Sequence, residues 1–543
     1  MKLKKDSSSQ KLRGIYYTPN QLAIAMINIF KDDLNIKKVL EPSCGDGVFI
    51  DAIVNSPLID NIDVIKAIEI QDEEVLKIKK TYEKNKKINV EKSDFFNYYE
   101  DNYRTEKYDL IVGNPPYIRY QYLTAEQREI QSGVLTNHGM KSNKQINAWV
   151  GFMVASVQML NHNGKLMFVI PAELLQVAYA EDLRLYLSNH FSSITLITFS
   201  KLVFPDIEQE VIVFIGERGT SKKGIRIYEM DDLDMFDKLD YSAKGFREIL
   251  HVKEKWTKYY LSNEDIKLIQ KIKKDTRFQF FSDIGTINVG ITTGNNAYFT
   301  VDKETVEKYD LYRTVLPLIG RSSHAHGINF TEEDWKANIN KGVKAFLVAF
   351  DNMNINELPS SYVDYINLGE ATGQNLGYKC KIRNHWYVVP SIWIPDAFFL
   401  RRNNLYPKFV LNDCNAVSTD TMHRIKFNDD IDKKRIQLSY YNSVSFAFSE
   451  ISGRSYGGGV LEILPSELSK IVLPKIDNID DDKVEELLNF IDDNIRNNND
   501  IEKVLEKVDN EILVGLLGMS NEECTQFRKI WKNLQNKRLG RMR

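Results

Sequence analysis

The stretch of this chain with the clearest chemistry is Asn114-Pro115-Pro116-Tyr117, which directly follows the apolar run 108–113. A buried strand is predicted for this run, so the tetrapeptide lies where a parallel strand ends, the place where open α/β sheets bind ligands. Proline has no backbone donor and cannot continue a sheet, which leaves backbone carbonyls free to accept. The Asn114 side-chain oxygen, the Pro115 carbonyl and the flat Tyr117 ring together suit a planar amine, whose hydrogens and face they would contact.

A second group of candidate ligand-binding residues surrounds the segment EPSCGDG at residues 41–47, between a predicted strand and a predicted helix. Its glycines allow a tight turn and a close approach of the backbone to a ligand, and the helix directs its first amides into the same space. Glu69 ends the next strand, where a carboxylate accepts from ribose hydroxyls. Asp94 and Phe95 follow the third strand and could bind an adenine amine and ring face. The chain has no Walker pattern, which favours a nucleoside without a phosphate cradle over ATP.

The elements that must position these residues alternate in type over the first 240 residues. Strand-like runs lie at 38–40, 63–69, 88–90, 108–112 and 165–170, and helix-like runs at 21–30, 48–54, 72–79 and 146–160. This alternation predicts an α/β fold with a doubly wound, mostly parallel sheet. Two late strand-like runs, 194–199 and 211–216, predict a hairpin that ends the sheet.

The rest of the chain has a different pattern, from which we predict three domains: 1–240, 245–475 and 476–543. In the second, short strand-like runs between Gly, Asn and Pro predict a mixed α+β module; they lie at 287–299, 343–350, 386–399 and 409–411. In the third, apolar residues at helical spacing on both sides of 496–500 predict a helical hairpin with a supporting role.

Composition limits the class of protein. At 543 residues, two or three domains are expected, and a net charge of −3 means that nucleic-acid contacts must come from local clusters. The four cysteines contain no CxxC pair and the histidines show no metal-ligand spacing, which argues for a reducing compartment and against a zinc site or a disulfide framework. Neither a signal peptide nor a membrane-spanning run is found, so a cytoplasmic protein is expected.

Local positive charge is found in the second module. Between residues 381 and 425, six basic residues oppose three acidic ones, and aromatic residues are interleaved with them. Arg383, Arg401 and Arg402 in this stretch are candidate DNA-binding residues. Arg454, which precedes a run of glycines, could lie in a loop that contacts phosphates.

Five blocks in this order resemble the γ class of DNA N6-adenine methyltransferases of restriction-modification systems. They are GIYYTP at 14–19, VLEPSCGDG at 39–47, AIEI at 67–70, SDFF at 93–96 and GNPPY at 113–117. The resemblance implies a Rossmann-like catalytic domain that uses S-adenosyl-L-methionine, followed by a target-recognition domain that binds double-stranded DNA. Blocks of the second module, such as GITTGN at 290–295, resemble the recognition half of such enzymes more loosely.

The resemblance also implies a role for each matched residue. Asn114 and Pro115 would hold the target amine, and Tyr117 and Phe204 would stack on the two faces of a flipped adenine. Eight further residues would hold the cofactor. Its methionine part would be bound by Thr18, Glu41, Ser43, Gly45 and Gly47, its ribose by Glu69, and its adenine by Asp94 and Phe95. The chemistry needs no metal and no strong base, because the sulfonium methyl is already electrophilic and the protein mainly aligns the reacting atoms.

Several alternatives stay open at this point. The tetrapeptide alone does not exclude transfer to a glutamine amide of a protein or to ribosomal RNA, and a DNA-recognition subunit without catalysis is a further alternative. Single residues also have simpler interpretations: Glu69 as a surface carboxylate, Asp94 as a helix cap, Thr18 as a cap of a helix that begins at Pro19, and Phe204 as a core residue. The sequence gives neither the DNA site nor the oligomeric state. A cognate restriction endonuclease on another chain is compatible with it.

Overall fold

The computed structural model divides the chain into two compact units, Met1–Tyr260 and Leu261–Met542. The residues that it describes are 17–142, 146–199, 210–239, 241, 245–249, 254–456 and 458–540. The division falls at residue 260, whereas the sequence predicts a boundary between 240 and 245. The predicted segment 476–543 falls within the second unit, because the helices after residue 480 share one hydrophobic core with it. Of the helices in the described part of the chain, none is long and apolar enough to span a membrane.

The described part of the first unit contains one eight-stranded sheet with strand order β3-β2-β1-β4-β5-β7-β6-β8. The first five strands run parallel, and β7 runs antiparallel to both of its neighbours. The strands are β1 Lys38–Glu41, β2 Val64–Glu69, β3 Ile88–Lys92, β4 Tyr108–Gly113, β5 Leu160–Pro171, β6 Ser193–Phe199, β7 Val211–Glu217 and β8 Gly224–Met230. The predicted fold class is therefore confirmed. The predicted hairpin is β6 with β7, but it does not end the sheet, because β8 pairs in parallel with β6.

Both faces of this sheet are covered, which explains why its central strands read as continuous apolar runs. Along β5, Leu166, Phe168 and Ile170 belong to one hydrophobic cluster, while Met167 and Val169 belong to a second cluster on the opposite face. The helices of the unit are Asn20–Asn28, Val48–Val54, Asp72–Thr81, Phe95–Asn102, Ala125–Thr136, Ala148–Gln158 and Glu181–His190.

The described part of the second unit has small sheets and many helices. Its largest sheet has the order β10-β19-β15-β17-β13, and further sheets have the orders β11-β14-β12-β18, β16-β21-β20 and β22-β9. The strands are β9 Phe278–Phe280, β10 Gly285–Val289, β11 Thr300–Val301, β12 Val315–Ile319, β13 Asn329–Phe330, β14 Phe346–Val348, β15 Ala397–Leu400, β16 Arg402–Asn403, β17 Phe409–Asn412, β18 Val417–Ser418, β19 Met422–Phe427, β20 Arg454–Tyr456, β21 Val460–Glu462 and β22 Val472–Pro474.

The helices of the second unit include the two that the spacing around 496–500 predicts. They are Asn263–Lys273, Asn296–Phe299, Lys303–Lys308, Glu332–Asn340, Ser360–Ala371, Tyr378–Lys381, Lys433–Tyr440, Ser443–Ser452, Pro465–Leu468, Asp481–Arg496, Ile501–Val508, the π-helix Asp509–Leu516 and Asn521–Gly540.

Three strand predictions for the second unit are too long, and the first of them, the run at 343–350, is a strand only at Phe346–Val348. The run predicted at 287–299 is a strand only to Val289; Gly294 follows with a φ of +83°, and the helix Asn296–Phe299 occupies the end of the predicted run. Within the run predicted at 386–399, the strand begins only at Ala397. The apolar and aromatic residues before it pack as loop in a core instead, as Tyr387 and Val389 do.

Candidate active site

The candidate site lies where the strand order of the first unit reverses. β1 and β4 are parallel neighbours, and the strands numbered next to them lie on opposite sides. The loop 42–47 leaves β1 and the segment 114–117 leaves β4, so they separate at the same sheet edge and open a crevice. Gly45 and Gly47 adopt φ angles of +51° and +85°, a left-handed conformation that glycine adopts without strain. The helix Val48–Val54 begins directly after this turn.

A cavity of about 510 Å³ occupies this crevice, which is within the usual size of a small-molecule site. Residues from the ends of all four strands β1 to β4 line it. The lining comprises Tyr17, Pro42, Ser43, Gly45, Glu69, Ile70, Gln71, Ser93, Asp94, Phe95, Phe96, Asn114, Pro115, Pro116, Ile118, Tyr122, Leu123, Thr124, Gln127, Ala148 and Phe152.

Glu69 is buried and held by three backbone amides. One carboxylate oxygen accepts from the amides of Ile70 and Gln71, at 3.0 and 2.9 Å. The other accepts from the Gly45 amide at 2.9 Å and so ties the glycine turn to the end of β2. A carboxylate has about four acceptor positions, so Glu69 retains capacity for a ligand hydroxyl. It is not the surface carboxylate that the sequence leaves open as an alternative, since it is 5% exposed.

Glu41, at the end of β1, is buried without compensation. Its Oε2 atom has no hydrogen-bond donor among the residues that the structure describes. Burial raises the pKa of the Glu41 carboxyl well above its usual value, and the nearby acids Asp46, Glu69 and Asp51 add to this effect. A buried acceptor among acids is costly in the protein alone. An ammonium group of a bound ligand would supply both the missing donor and the missing charge.

Asn114 connects the tetrapeptide to both neighbouring segments. Its side-chain amide donates to the Thr18 hydroxyl at 3.2 Å, and its backbone carbonyl accepts from the Ser43 hydroxyl at 3.3 Å. The helix Asn20–Asn28 has no side-chain cap hydrogen bond, so Thr18 does not act as its cap. Thr18 is buried and is not among the residues that line the cavity. The neighbouring Tyr17 lines the cavity instead.

Tyr117 is the member of the tetrapeptide that does not appear in the cavity lining. Its ring is half-buried against both hydrophobic clusters of the sheet, and its hydroxyl donates to the Val169 carbonyl at 3.1 Å. Its stacking on a target base stays a prediction. The second predicted stacking residue, Phe204, lies outside the described residues.

Asp94 lines the cavity and caps a helix at the same time. One of its oxygens accepts from the Phe96 amide at 2.8 Å, which caps the helix Phe95–Asn102. The other accepts from the Gln127 side chain at 2.7 Å. The Phe95 ring lies 4.8 Å from the Phe152 ring, so an apolar wall borders this carboxylate. A carboxylate beside an aromatic wall can bind a planar base that carries an amine.

The structure thus brings most of the predicted cofactor residues to one cavity, and it adds residues that the sequence analysis missed. These are Tyr17, Ile70, Gln71, Leu123, Thr124, Gln127 and Phe152. Two of them could have been found from the sequence, because Thr124 and Gln127 form a capping box whose Thr-x-x-Gln pattern marks the start of the helix Ala125–Thr136. Tyr17 stands next to Thr18 in the first matched block.

The predicted DNA-binding arginines of the second unit all have partners within that unit. Arg401 and Arg402 both approach Glu462, at 2.9 and 3.3 Å. Arg454 pairs with Glu467 at 2.7 Å, and both side chains are largely buried. Their contact with DNA stays a prediction, and of these three the Arg402 side chain is the most exposed, at 69%.

Family models match both units. A model described as Eco57I restriction-modification methylase matches residues 11–204, and one described as the C-terminal domain of the Type II methyltransferase M.Eco57I matches residues 253–513. Type II methyltransferase M.AccI of Acinetobacter calcoaceticus is 25% identical over 520 residues, which cover 91% of this chain and 92% of that protein. Type II methyltransferase M.HindII of Haemophilus influenzae is 23% identical over 345 residues, which cover 60% of this chain and 62% of that protein.

Among solved structures, the chain is similar to the Type IIL restriction-modification enzyme MmeI in complex with DNA. The TM-score is 0.58 at 12% identity, and the match covers 98% of this chain and 80% of that one. At this identity the similarity concerns the fold alone.

Proposed function

Because this chain belongs to the Eco57I-like family of Type II restriction-modification methyltransferases, we propose that it transfers a methyl group from S-adenosyl-L-methionine to N6 of an adenine in double-stranded DNA. The proposal names three things beyond the family: the cofactor, the base and the atom that is modified. One observation supports it above all others. Asn114, Pro115 and Pro116 line the same cavity as Gly45 and Glu69, so an amine acceptor and a nucleoside site share one space.

The cofactor residues fit a nucleoside that carries an ammonium group. Glu41 offers a buried oxygen without a donor in the described chain, and Glu69 offers remaining acceptor capacity at the end of β2. Asp94 and Phe95 offer a carboxylate next to an aromatic wall. We assign the ammonium to Glu41, the ribose to Glu69, and the base to Asp94 and Phe95.

When bound, S-adenosyl-L-methionine supplies a methyl group on a sulfonium, which is electrophilic without a metal. Asn114 and the Pro115 carbonyl would accept the two hydrogens of the target amine, which localises the nitrogen lone pair that is otherwise delocalised into the ring. Transfer to the amine held by Asn114 and Pro115 would form a C–N bond and break the C–S bond, and one proton of the amine would pass to solvent. The main contribution of the chain is then alignment of nitrogen, carbon and sulfur.

The target atom cannot be reached inside a duplex, so the base must leave the stack. Unstacking costs a few kcal/mol. Aromatic side chains return about 1–3 kcal/mol per stacked base. Tyr117 and Phe204 are the residues that we propose for this contact.

A methyl-transfer assay tests the proposal. The chain is incubated with labelled S-adenosyl-L-methionine and, in parallel, with mixed-sequence duplex DNA, ribosomal RNA and release-factor protein. Label is expected in DNA alone, and nucleoside digestion followed by mass spectrometry is expected to yield N6-methyladenine. Label in RNA or protein, or N4-methylcytosine as the product, would overturn the assignment of substrate or base.

A further inference from the structure

One short segment of the second unit contains basic residues and no acidic residue. Residues 372–385 contain Lys379, Lys381 and Arg383 and neither Asp nor Glu. This differs from the sequence-predicted arginines Arg401 and Arg454, whose charge is compensated by nearby glutamates. The segment overlaps the start of the stretch 381–425, for which the sequence predicts contact with DNA.

The two lysines of this segment are available to a partner. Lys379 and Lys381 are exposed, and neither forms an ion pair within the described part of the chain. Large apolar side chains are exposed beside them: Leu376 at 63%, Tyr378 at 75% and Ile382 at 61%. An exposed group of basic, aromatic and aliphatic side chains on one short segment indicates a contact surface for a partner rather than ordinary solvated surface.

Arg383 fixes this segment to the loop 292–295. Its guanidinium donates to the carbonyls of Thr292 and Thr293, at 3.2 and 2.7 Å, and it lies over the Phe299 ring. Gly294 packs so closely that a side chain there would meet the Cβ of Lys379 at 2.7 Å. The loop and the segment therefore form one continuous surface. The hydrogen bonds of Arg383 hold the segment 372–385 against the loop 292–295.

Amide side chains join the two parts of this surface. The Asn295 amide donates to the Gln374 side-chain oxygen at 2.6 Å. The Gln374 amide donates to the Thr372 carbonyl at 3.4 Å, which leaves one of its two amide hydrogens for a partner, and Asn295 and Gln374 are both only half-buried. Amide side chains read adenine by paired hydrogen bonds in the major groove, while apolar contacts read the thymine methyl.

We propose that residues 292–295 and 372–385, the amide–lysine surface, contact the target duplex directly, with Lys379 and Lys381 on phosphates and Gln374 and Tyr378 at base edges. The proposal rests on the proposed function, which makes DNA the substrate. The surplus of positive charge fits a polyanion, and phosphates dominate the affinity of such contacts. Arg383 acts as a positioning residue here, although its sequence context predicts that it binds DNA.

The first test measures how binding of duplex DNA depends on salt. The duplex carries the site found by single-molecule sequencing of DNA from cells that express the wild-type chain. The double variant Lys379→Ala with Lys381→Ala is expected to lower the slope of log affinity against log salt by about two and to weaken binding about tenfold at 0.1 M salt. The matched control is Lys267→Ala with Lys341→Ala, two exposed lysines outside the surface, which should leave the slope unchanged.

The second test concerns sequence choice. Gln374→Ala is expected to lose about tenfold or more of the discrimination at one base pair, as seen in the motif that is methylated in cells. If the wild-type chain methylates DNA while both the salt slope and the motif are unchanged in these variants, the inference about this surface is overturned and the proposed function stands. If the wild-type chain binds the cofactor but does not methylate DNA, the proposed function itself fails.

Discussion

At the scale of single residues, two buried glutamates at the ends of β1 and β2 differ in their hydrogen bonding. Glu69 accepts from three backbone amides, whereas Glu41 has an oxygen for which the described chain supplies no donor. The first is part of the scaffold that holds the glycine turn. Burial of the Glu41 carboxyl destabilises the folded chain until a ligand binds it, as is common for groups that serve binding rather than stability. Asn114 combines both roles, since its side chain donates to Thr18 and also lines the cavity.

Asn114→Ala should lower the rate of methyl transfer about a hundredfold or more while cofactor binding survives, because a positioned polar contact to the reacting group is lost. The measurement pairs single-turnover rates with calorimetric cofactor titration. Asn35→Ala, an exposed asparagine with a local partner, serves as the control. Near-normal turnover of the Asn114 variant would refute its role.

Glu41→Gln should make the ligand-free chain more stable at neutral pH. The folded-state pKa of Glu41 lies above its unfolded value because of burial. Its contribution to stability is therefore full below the unfolded pKa and is lost as the pH rises through the folded pKa. Glutamine does not ionise, so the variant does not lose stability in this way as the pH rises. Its melting temperature should therefore match that of the wild type in acid and exceed it at neutral pH.

The same variant should bind S-adenosyl-L-methionine about tenfold to a hundredfold more weakly, since a charged hydrogen bond is removed. Calorimetry at neutral pH measures this, with Glu100→Gln, at an exposed position, as the control. A variant that is neither more stable nor weaker in cofactor binding would contradict the assignment of Glu41.

At the scale of elements, the segment that follows the tetrapeptide closes one side of the cavity. The 3₁₀ turn Tyr120–Tyr122 and the first turn of the helix Ala125–Thr136 contribute Tyr122, Leu123 and Gln127 to the lining. Gln127 has two tasks. It completes the capping box of its own helix and donates to Asp94 at the end of β3. It therefore couples the position of the helix to the wall of the proposed cofactor site.

Gln127→Ala should raise the KM for S-adenosyl-L-methionine about tenfold with little change in kcat, because one hydrogen bond to a carboxylate is lost far from the reacting atoms. Steady-state kinetics measure this, and Gln121→Ala, at an exposed position of the same segment, is the control.

The variant Gln127→Glu tests whether Gln127 acts through its hydrogen bond to Asp94 or only through packing. A protonated Glu side chain can donate to Asp94 as the amide does, whereas an ionised one repels it. The KM of this variant should therefore fall towards the wild-type value as the pH is lowered. A KM that does not depend on pH would show that the coupling to Asp94 is unimportant.

At the scale of the whole molecule, each unit has its own core, and the second is completed by its C-terminal helix Asn521–Gly540. Arg538 of this helix pairs with Glu450 at 2.7 Å, with side chains 1% and 3% exposed. It also donates to the carbonyls of Asn404 and Gly459. Burial raises the pKa of Glu450, and Arg538 opposes this shift. The last helix is therefore part of the fold of this unit and no appended tail.

Arg538→Ala should destabilise the second unit by about 3–5 kcal/mol, because it leaves the Glu450 charge buried and unpaired. Hydrogen exchange measured by mass spectrometry should show faster exchange in residues 443–452 and 521–540, with β1–β5 of the first unit unchanged. The double variant Arg538→Met with Glu450→Leu should recover most of the loss. Lys529→Ala on an exposed face of the same helix is the control, and an equal effect of both single variants would contradict the role of the ion pair.

The sequence by itself determined the order of strands and helices in the first unit and the place of its candidate site. Apolar runs buried on both faces predicted the central strands, and the blocks at 41–47 and 113–117 fell at the strand ends that the sheet brings together. These features follow from local patterns, because strand burial and tight turns depend on neighbouring residues.

Only the tertiary structure decided which polar groups are already occupied. Arg401 meets Glu462, 61 positions away, while Lys379 keeps its charge uncompensated within the described chain. Asp94 accepts a hydrogen bond from Gln127, whereas the residues described here supply no donor to one oxygen of Glu41. The physical reason is that hydrogen bonds and ion pairs join residues that are remote along the chain. Their partners, and therefore the groups left for a ligand, are set by packing and not by the local pattern.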